Sequence, residues 1–460
     1  MRIFASCYHF FMGLLPETRN VLQLGASFFF IFLAFNSQGF IEEPVIESAS
    51  RRGGNIDIHA GFTSQALIYG FFTFANFVAA PIVELISAKW AMALGGLCYC
   101  IFLAGFLFLN SAYLYITSCI LGFGAAIIWT GQGTYLAKNC DERTTGRNSL
   151  IGGGLFLFVV FKTTGTTDDI ADSTTKIMYG VFTGLAAVGI VVIALLPAPP
   201  AHLSANQPTV REDWKELIVK TFRLMFTKRM LIMALVFAYT GLMQSFWTGV
   251  YPTCISFTEK LGSDRQSIVA INAMLSGAGQ CIAGLLFGIL SSKTAALGRH
   301  MIIFLGTIVH VIALSLVFIN FPHDANLGRT GQAIGIIQPS VVLAVLTGFL
   351  LGFGDACWNT QIYSHLVSNF SDKSAQAFAL YKFYQSALSC AAFFYSSHLG
   401  VVWHLLIMLV CSLIAAAAFF VVEKLLPRIV SKRDEAKVED DDFSRSDVAS
   451  TARSEIHEVD

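Results

Sequence analysis

Two side chains of opposite charge lie inside long apolar stretches of this 460-residue sequence. Asp355 falls within the stretch 341–364, and Lys382 falls near the start of 377–398. Charged residues at such positions are costly and usually serve a function. Because the two stretches are consecutive, an antiparallel hairpin would bring both charges to a similar depth, where an ion pair is expected.

These two charges have three interpretations. In the first, they form an ion pair that only neutralises both charges and stabilises the structure. In the second, the ion pair breaks and re-forms, and so couples the binding of a proton or substrate to a conformational change. In the third, no pair forms, because the Lys382 side chain extends to the membrane surface and leaves Asp355 alone. The sequence leaves all three open.

Uncharged polar side chains on the same stretches could line a central cavity, or could instead join neighbouring helices. These candidates are Trp129, Gln132, Trp358, Asn359 and Gln361. We see no nucleotide-binding loop, no metal-ligand spacing and no nucleophile in a recognisable context. We therefore expect no enzyme, no catalytic residues, no metal site and no cofactor. Basic residues do not cluster with aromatic ones, which argues against nucleic-acid binding.

The elements that must position these side chains are membrane-spanning helices. The chain is 55% hydrophobic and 13% charged, whereas soluble domains are about 25% charged. A spanning helix needs about 20 apolar residues. Eleven stretches qualify: 21–40, 62–85, 92–110, 113–136, 177–196, 230–256, 268–290, 301–320, 341–364, 377–398 and 401–422. A twelfth, 149–161, is abnormally short, but it preserves the orientation of every later span.

These spans predict an all-α, polytopic membrane protein with two bundles of six helices. Its expected parts are a cytoplasmic lead-in (1–20), an N-terminal bundle (21–196), a cytoplasmic amphipathic linker (197–229), a C-terminal bundle (230–422) and a disordered tail (423–460). Most of the 30 lysine and arginine residues then fall on cytoplasmic segments, which places both termini in the cytoplasm. The sequence does not distinguish the plasma membrane from the endolysosomal membrane.

One segment recurs half a chain length later. Leu121-Gly122-Phe123-Gly124 is followed in the second half by Leu351-Gly352-Phe353-Gly354. Duplicated halves are how several transporter folds are built. In the second copy Asp355 takes the position of Ala125, so the chemistry is asymmetric on a symmetric scaffold.

Several motifs resemble those of the UNC-ninety-three-like family of the major facilitator superfamily. The resemblance covers about residues 20–422. It is carried by Trp129-Thr130-Gly131-Gln132-Gly133, Asp141-Glu142, Gly146-Arg147-Asn148, Leu351-Gly352-Phe353-Gly354-Asp355, Asn359-Thr360-Gln361, Ala377-Phe378-Ala379, Lys382-Phe383 and Gln385-Ser386. We expect Asp141, Glu142 and Arg147 to belong to a cytoplasmic gate loop. The family has a full-length fifth span where this chain has only 149–161.

The resemblance leaves two classes of function open. One is a transporter that moves a small solute by alternating access, with Asp355 and Lys382 as coupling groups. The other is a non-transporting partner, because family members with assigned roles resemble regulatory subunits of potassium channels or trafficking chaperones of receptors. Expected partners are therefore the lipid bilayer and either an unidentified solute or a membrane protein such as an ion channel. The retained charges favour transport.

Overall fold

The computed structural model describes residues 16–139, 170–198, 214–289, 298–370 and 373–425. The helices of the first half are Pro16–Arg51 (α1), Ala60–Ile86 (α2), Ala88–Gly105 (α3), Ser111–Asn139 (α4) and Asp172–Ala194 (α5). Those that follow are Trp214–Met225 (α6), Lys228–Ser245 (α7), Arg265–Ile289 (α8), Arg299–Asn320 (α9), Val341–Asn369 (α10), Ser374–Ser396 (α11) and Val401–Phe420 (α12). Helix α7 continues through a π-helical turn, Phe246–Val250, into Tyr251–Phe257.

Nine helices within the described ranges are long and apolar enough to cross a membrane. The α2 and α11 helices occupy the positions predicted for the second and eleventh spans. No strand occurs in the part of the chain that the structure describes. The predicted all-α, multi-span fold is therefore confirmed. The predicted gate residues Asp141, Glu142 and Arg147 and the short stretch 149–161 lie outside the described residues.

The two halves pack in the same way. In the first half α4 packs against α2 and α3, and in the second half α10 packs against α8 and α9. Helix α1 packs on α5, and α7 packs on α11 and α12. The halves meet where α11 lies against α2 and where the end of α7 lies against α1.

The repeated glycines explain why this packing is so similar. A Cβ atom added at Gly122 would collide with the backbone of α2 at Ile68, and one added at Gly352 would collide with the backbone of α8 at Ser276. Only a residue without a side chain allows such close approach of two helices. The repeated segment is thus a helix-contact motif in both halves.

We expect Gly352→Ala to lower the temperature of unfolding in detergent. The added methyl group must push α10 away from α8, and overpacking of this kind costs about 1–3 kcal/mol. Gly184→Ala is the matched control, because nothing lies within 4 Å of its Cβ position and alanine is the better helix former. Equal unfolding temperatures for the two variants would contradict this account of the repeat.

The first span is longer than the sequence predicted. The expected boundary was residue 40, but α1 continues to Arg51 and buries three carboxylates, Glu42, Glu43 and Glu47, each at most 3% exposed. In a sequence, carboxylates that follow an apolar stretch usually indicate that the helix has ended and a solvated loop has begun. Here each carboxylate accepts at least one hydrogen bond, from Gln38, the Phe62 amide and Arg329 respectively, so the helix continues.

The last span also passes its predicted end. After α12 a π-helical turn, Val421–Leu425, extends into the region expected to be a disordered tail. Glu423 in this turn accepts hydrogen bonds from Arg299 Nη1 at 3.1 Å and pairs with His365 Nδ1 at 2.8 Å. These contacts fix the turn to α9 and α10.

Candidate functional site

A cavity of about 310 Å³ lies between the two bundles. This volume is at the lower end of the range for small-molecule sites. Helices α1 to α4 contribute one side and α7, α8, α10 and α11 contribute the other. Of the residues singled out in the sequence, the cavity is lined by Asp355, Lys382, Trp129, Gln132 and Asn359.

The internal repeat brings equivalent positions to this cavity. Ala125 and Asp355 both line it, as do Trp129 and Asn359, and each pair is separated by half the chain length. One wall therefore presents an apolar and aromatic surface where the opposite wall presents a carboxylate and an amide.

The expected direct ion pair is not found between these two described residues. Lys382 Nζ instead donates to Gln385 Oε1 at 2.8 Å. Asp355 accepts from Asn359 Nδ2 at 3.0 Å and from Gln280 Nε2 at 3.4 Å. Similar depth on neighbouring helices was the basis for the expected pair, but each charge is bound by amides instead.

A chain of hydrogen bonds nevertheless joins the two charges. Lys382 donates to Gln385, and Gln385 Nε2 donates to the Tyr381 hydroxyl at 3.2 Å. Tyr381 in turn donates to Asn359 Oδ1, and Asn359 donates to Asp355. We call these five residues the relay. Because every donor points toward Asp355, a change of charge at one end alters each bond in turn.

Lys382 also faces aromatic rings from both bundles. Its Nζ lies 4.8 Å from the ring centre of Tyr381 and 5.9 Å from that of Trp129. The Trp129 indole belongs to α4 and packs on Phe32 with a centroid distance of 4.8 Å. A cation above a ring face is attracted by the ring quadrupole. Lys382 is therefore positioned to respond when one bundle moves relative to the other.

Two predicted residues do not line this cavity. Trp358 is 1% exposed, and its ring packs against Tyr239 at a centroid distance of 4.8 Å. Gln361 donates to Thr360 Oγ1 at 3.1 Å. The half-chain offset explains the difference for Trp358, because it relates Trp358 to buried Ile128 rather than to Trp129.

Gln385 and Tyr381 were not predicted as site residues. A signal for Gln385 was present, since it follows Lys382 by three positions and so shares its helix face. No such signal exists for Tyr381. It is adjacent to Lys382 in sequence, and it contacts Asn359 only because α10 packs on α11.

A second charged contact joins the two bundles at one end of the molecule. Arg329, in the segment between α9 and α10, donates from Nε and Nη2 to Glu47 at 3.0 and 3.1 Å. Glu47 also pairs with Arg51 one turn later on α1. A two-pronged arginine–carboxylate pair is geometrically specific. It fixes α1 of the first half to the second half at this end.

His59 forms an ion pair with a buried carboxylate just before α2 begins. Its Nδ1 lies 2.9 Å from Glu43 Oε1. This hydrogen bond raises the pKa of His59 above the ordinary value of 6.5, although partial burial acts against it. A raised pKa in the folded state means that protonation of His59 stabilises the fold.

The sign of this effect predicts the pH dependence of stability. The contribution of His59 is complete below its ordinary pKa of 6.5 and is lost as the pH rises through the higher folded-state value. We expect the unfolding temperature to fall over that window, and His59→Gln to reduce the slope. His398, an exposed histidine, provides the control variant His398→Gln. A slope unchanged in His59→Gln would contradict the assignment.

The fold and the cavity define a helical membrane protein of the major facilitator type. Among solved structures, nucleoside transporter NupG superposes with a TM-score of 0.60 at 16% identity, covering 89% of this chain and 100% of that one. A D-xylose-proton symporter superposes with a TM-score of 0.57 at 15% identity, covering 89% and 98%. At these identities the likeness shows the fold alone.

The chain belongs to the UNC-93 family. A family model described as "Ion channel regulatory protein UNC-93" matches residues 52–420. UNC93-like protein MFSD11 of Xenopus laevis is 33% identical over 440 residues, covering 89% of this chain and 97% of the relative. Protein unc-93 homolog A of Homo sapiens is 25% identical over 459 residues, covering 88% and 93%. The family expected from the motifs is confirmed.

Proposed function

We propose that this protein moves a small solute across the membrane by alternating access, with the central cavity as the solute site. The observation that carries the proposal is the relay. It places one cation and one carboxylate on a cavity between two similar bundles, and it connects them without direct neutralisation. A purely structural pair would be expected to close into direct contact.

The relay suggests how solute binding is coupled to movement of the bundles. A solute that binds the Lys382 ammonium competes with Gln385 and with the Trp129 ring of the opposite bundle. Losing those contacts changes the hydrogen bonds along the relay as far as Asp355. Such a change shifts a conformational equilibrium only if the solute binds the two states with different affinity, and contacts from both bundles provide that difference.

Uptake by the purified full chain in liposomes tests this proposal. The panel should contain neutral, anionic, cationic and zwitterionic solutes, with protein-free liposomes as the blank. We expect saturable uptake of at least one class, and loss of that uptake in Lys382→Gln. If no class enters above the blank while the protein retains its native unfolding temperature, alternating-access transport is wrong.

A regulatory subunit of an ion channel is the second candidate, and the description of the matching family model favours it. In that case the bundles would present a surface to a channel, and the cavity would have no transported solute. Co-purification of a channel whose current depends on this protein would support it, when combined with a negative uptake panel.

A further inference from the structure

Glu42 forms a buried polar site in the first bundle that the relay does not use. Its side chain is 2% exposed. Its Oε2 accepts from Gln38 Nε2 at 2.6 Å and from Gln65 Nε2. Its Oε1 has no hydrogen-bond partner among the described residues, and neither has Gln38 Oε1. Two buried acceptors therefore lack a donor.

The groups that face Glu42 do not supply a positive charge within the described part of the chain. The titratable groups are Glu43 on the same helix, Tyr69 on α2 and Tyr179 on α5. The neighbouring Glu43 has its own partner in His59. Ser64 of α2 also faces the carboxyl group.

Two hydroxyl groups lie near these acceptors. The Ser64 hydroxyl is 2.9 Å from that of Ser118, and either oxygen can be the donor in this contact; the Ser118 hydroxyl also lies 2.6 Å from the Leu114 carbonyl oxygen. The Tyr179 hydroxyl, near Gln38, has no hydrogen-bond partner among the described residues. Neither hydroxyl is hydrogen-bonded to Glu42 Oε1, and a neutral donor would leave the charge of a buried carboxylate in place.

We propose that Glu42 is a proton-binding site and that it holds a proton in this structure. An isolated carboxylate is strongly disfavoured in an apolar interior, and such groups neutralise instead. A hydrated proton from solution transfers to Oε1 and releases its water: one O–H bond of the hydronium ion breaks, one O–H bond forms on Glu42, and the side chain changes from a carboxylate to a neutral acid. It also turns one of the two unpartnered acceptors into a donor.

Gln65 connects this proton site to the central cavity. It lines the cavity and donates to Glu42 Oε2. A hydrogen bond to an ionised carboxylate is about twice as strong as one to a neutral acid. Protonation of Glu42 thus loosens Gln65 and frees its amide for a solute. This coupling to a solute rests on the proposed transport function, whereas the proton site itself does not.

Infrared spectroscopy of the purified protein tests the proton site without any solute. We expect the carbonyl stretch of a protonated carboxylic acid near neutral pH, and its loss in Glu42→Gln. Glu43→Gln is the matched control, because Glu43 accepts from His59 and from the Phe62 amide and should not contribute that band. Glu42→Asp retains an acid and should shift the band, which keeps the test valid if Glu42→Gln fails to fold.

Two results would overturn the proton site. One is an acid band that neither Glu42 variant alters. The other is absence of the acid band, and stabilisation by sodium ions that depends on Glu42 would then make this a cation site.

A transport measurement separates this proposal from the proposed function. In liposomes, the ratio of uptake driven by a pH gradient to exchange without a gradient should fall about tenfold in Glu42→Gln, which corresponds to 1.4 kcal/mol. An acid band without any transported solute leaves the proton site intact and overturns transport. Transport without the band overturns the proton site alone.

Discussion

Asp355→Asn should lower solute uptake by proteoliposomes by at least about tenfold, a loss of about 1.4 kcal/mol. Asparagine retains an oxygen that can accept from Asn359, so the shape of the relay is kept while its negative charge is removed. The Lys382 ammonium then remains in the membrane interior without a countercharge, which is the costly situation. Initial uptake rates, normalised to the amount of reconstituted protein, measure the effect.

Two further variants show whether the charge itself is responsible. Asp172→Asn removes a carboxylate that is 62% exposed and pairs with Lys176 on the surface, so uptake should not change. Asp355→Asn combined with Lys382→Met removes both charges, and we expect less additional loss than the two single losses predict, because groups in one network are not additive. Normal uptake in Asp355→Asn would rule out the relay as a coupling element.

Arg329→Gln should separate the two bundles at the end where Arg329 meets Glu47. The Glu47 side chain is 2% exposed and that of Arg329 is 15% exposed. Removing one partner of a buried ion pair costs about 3–5 kcal/mol, and only the conformation that contains the pair bears this cost. The equilibrium should therefore shift toward a conformation in which this end is open.

Electron spin resonance can measure this separation. Spin labels introduced through non-canonical amino acids at Asn55 and Gln332, both exposed, report the distance between the bundles at this end. We expect a second, longer distance in Arg329→Gln. Arg51→Gln is the control, since Arg51 pairs with Glu47 within the same helix. Identical distance distributions in the Arg329 and Arg51 variants would show that the Glu47–Arg329 pair does not hold this end closed.

Long apolar stretches made the spans and their order predictable. The cost of a charge in the membrane likewise drew attention to Asp355 and Lys382. The relay was not predictable, because it depends on the side-chain directions of Tyr381 and Gln385 after two helices have packed. Glu42 was not predicted as a site residue for a related reason. Its compensating partner Gln65 lies on another helix, whereas a sequence shows only a carboxylate beside the end of an apolar run.

The uniform donor direction of the relay gives one wall of the cavity a permanent polarity. Its ammonium end at Lys382 attracts the negative part of a dipolar molecule, and its carboxylate end at Asp355 attracts the positive part. A molecule of the same size and net charge in the reverse orientation meets repulsion at both ends. This wall would thus select molecules by the positions of their positive and negative groups rather than by their net charge.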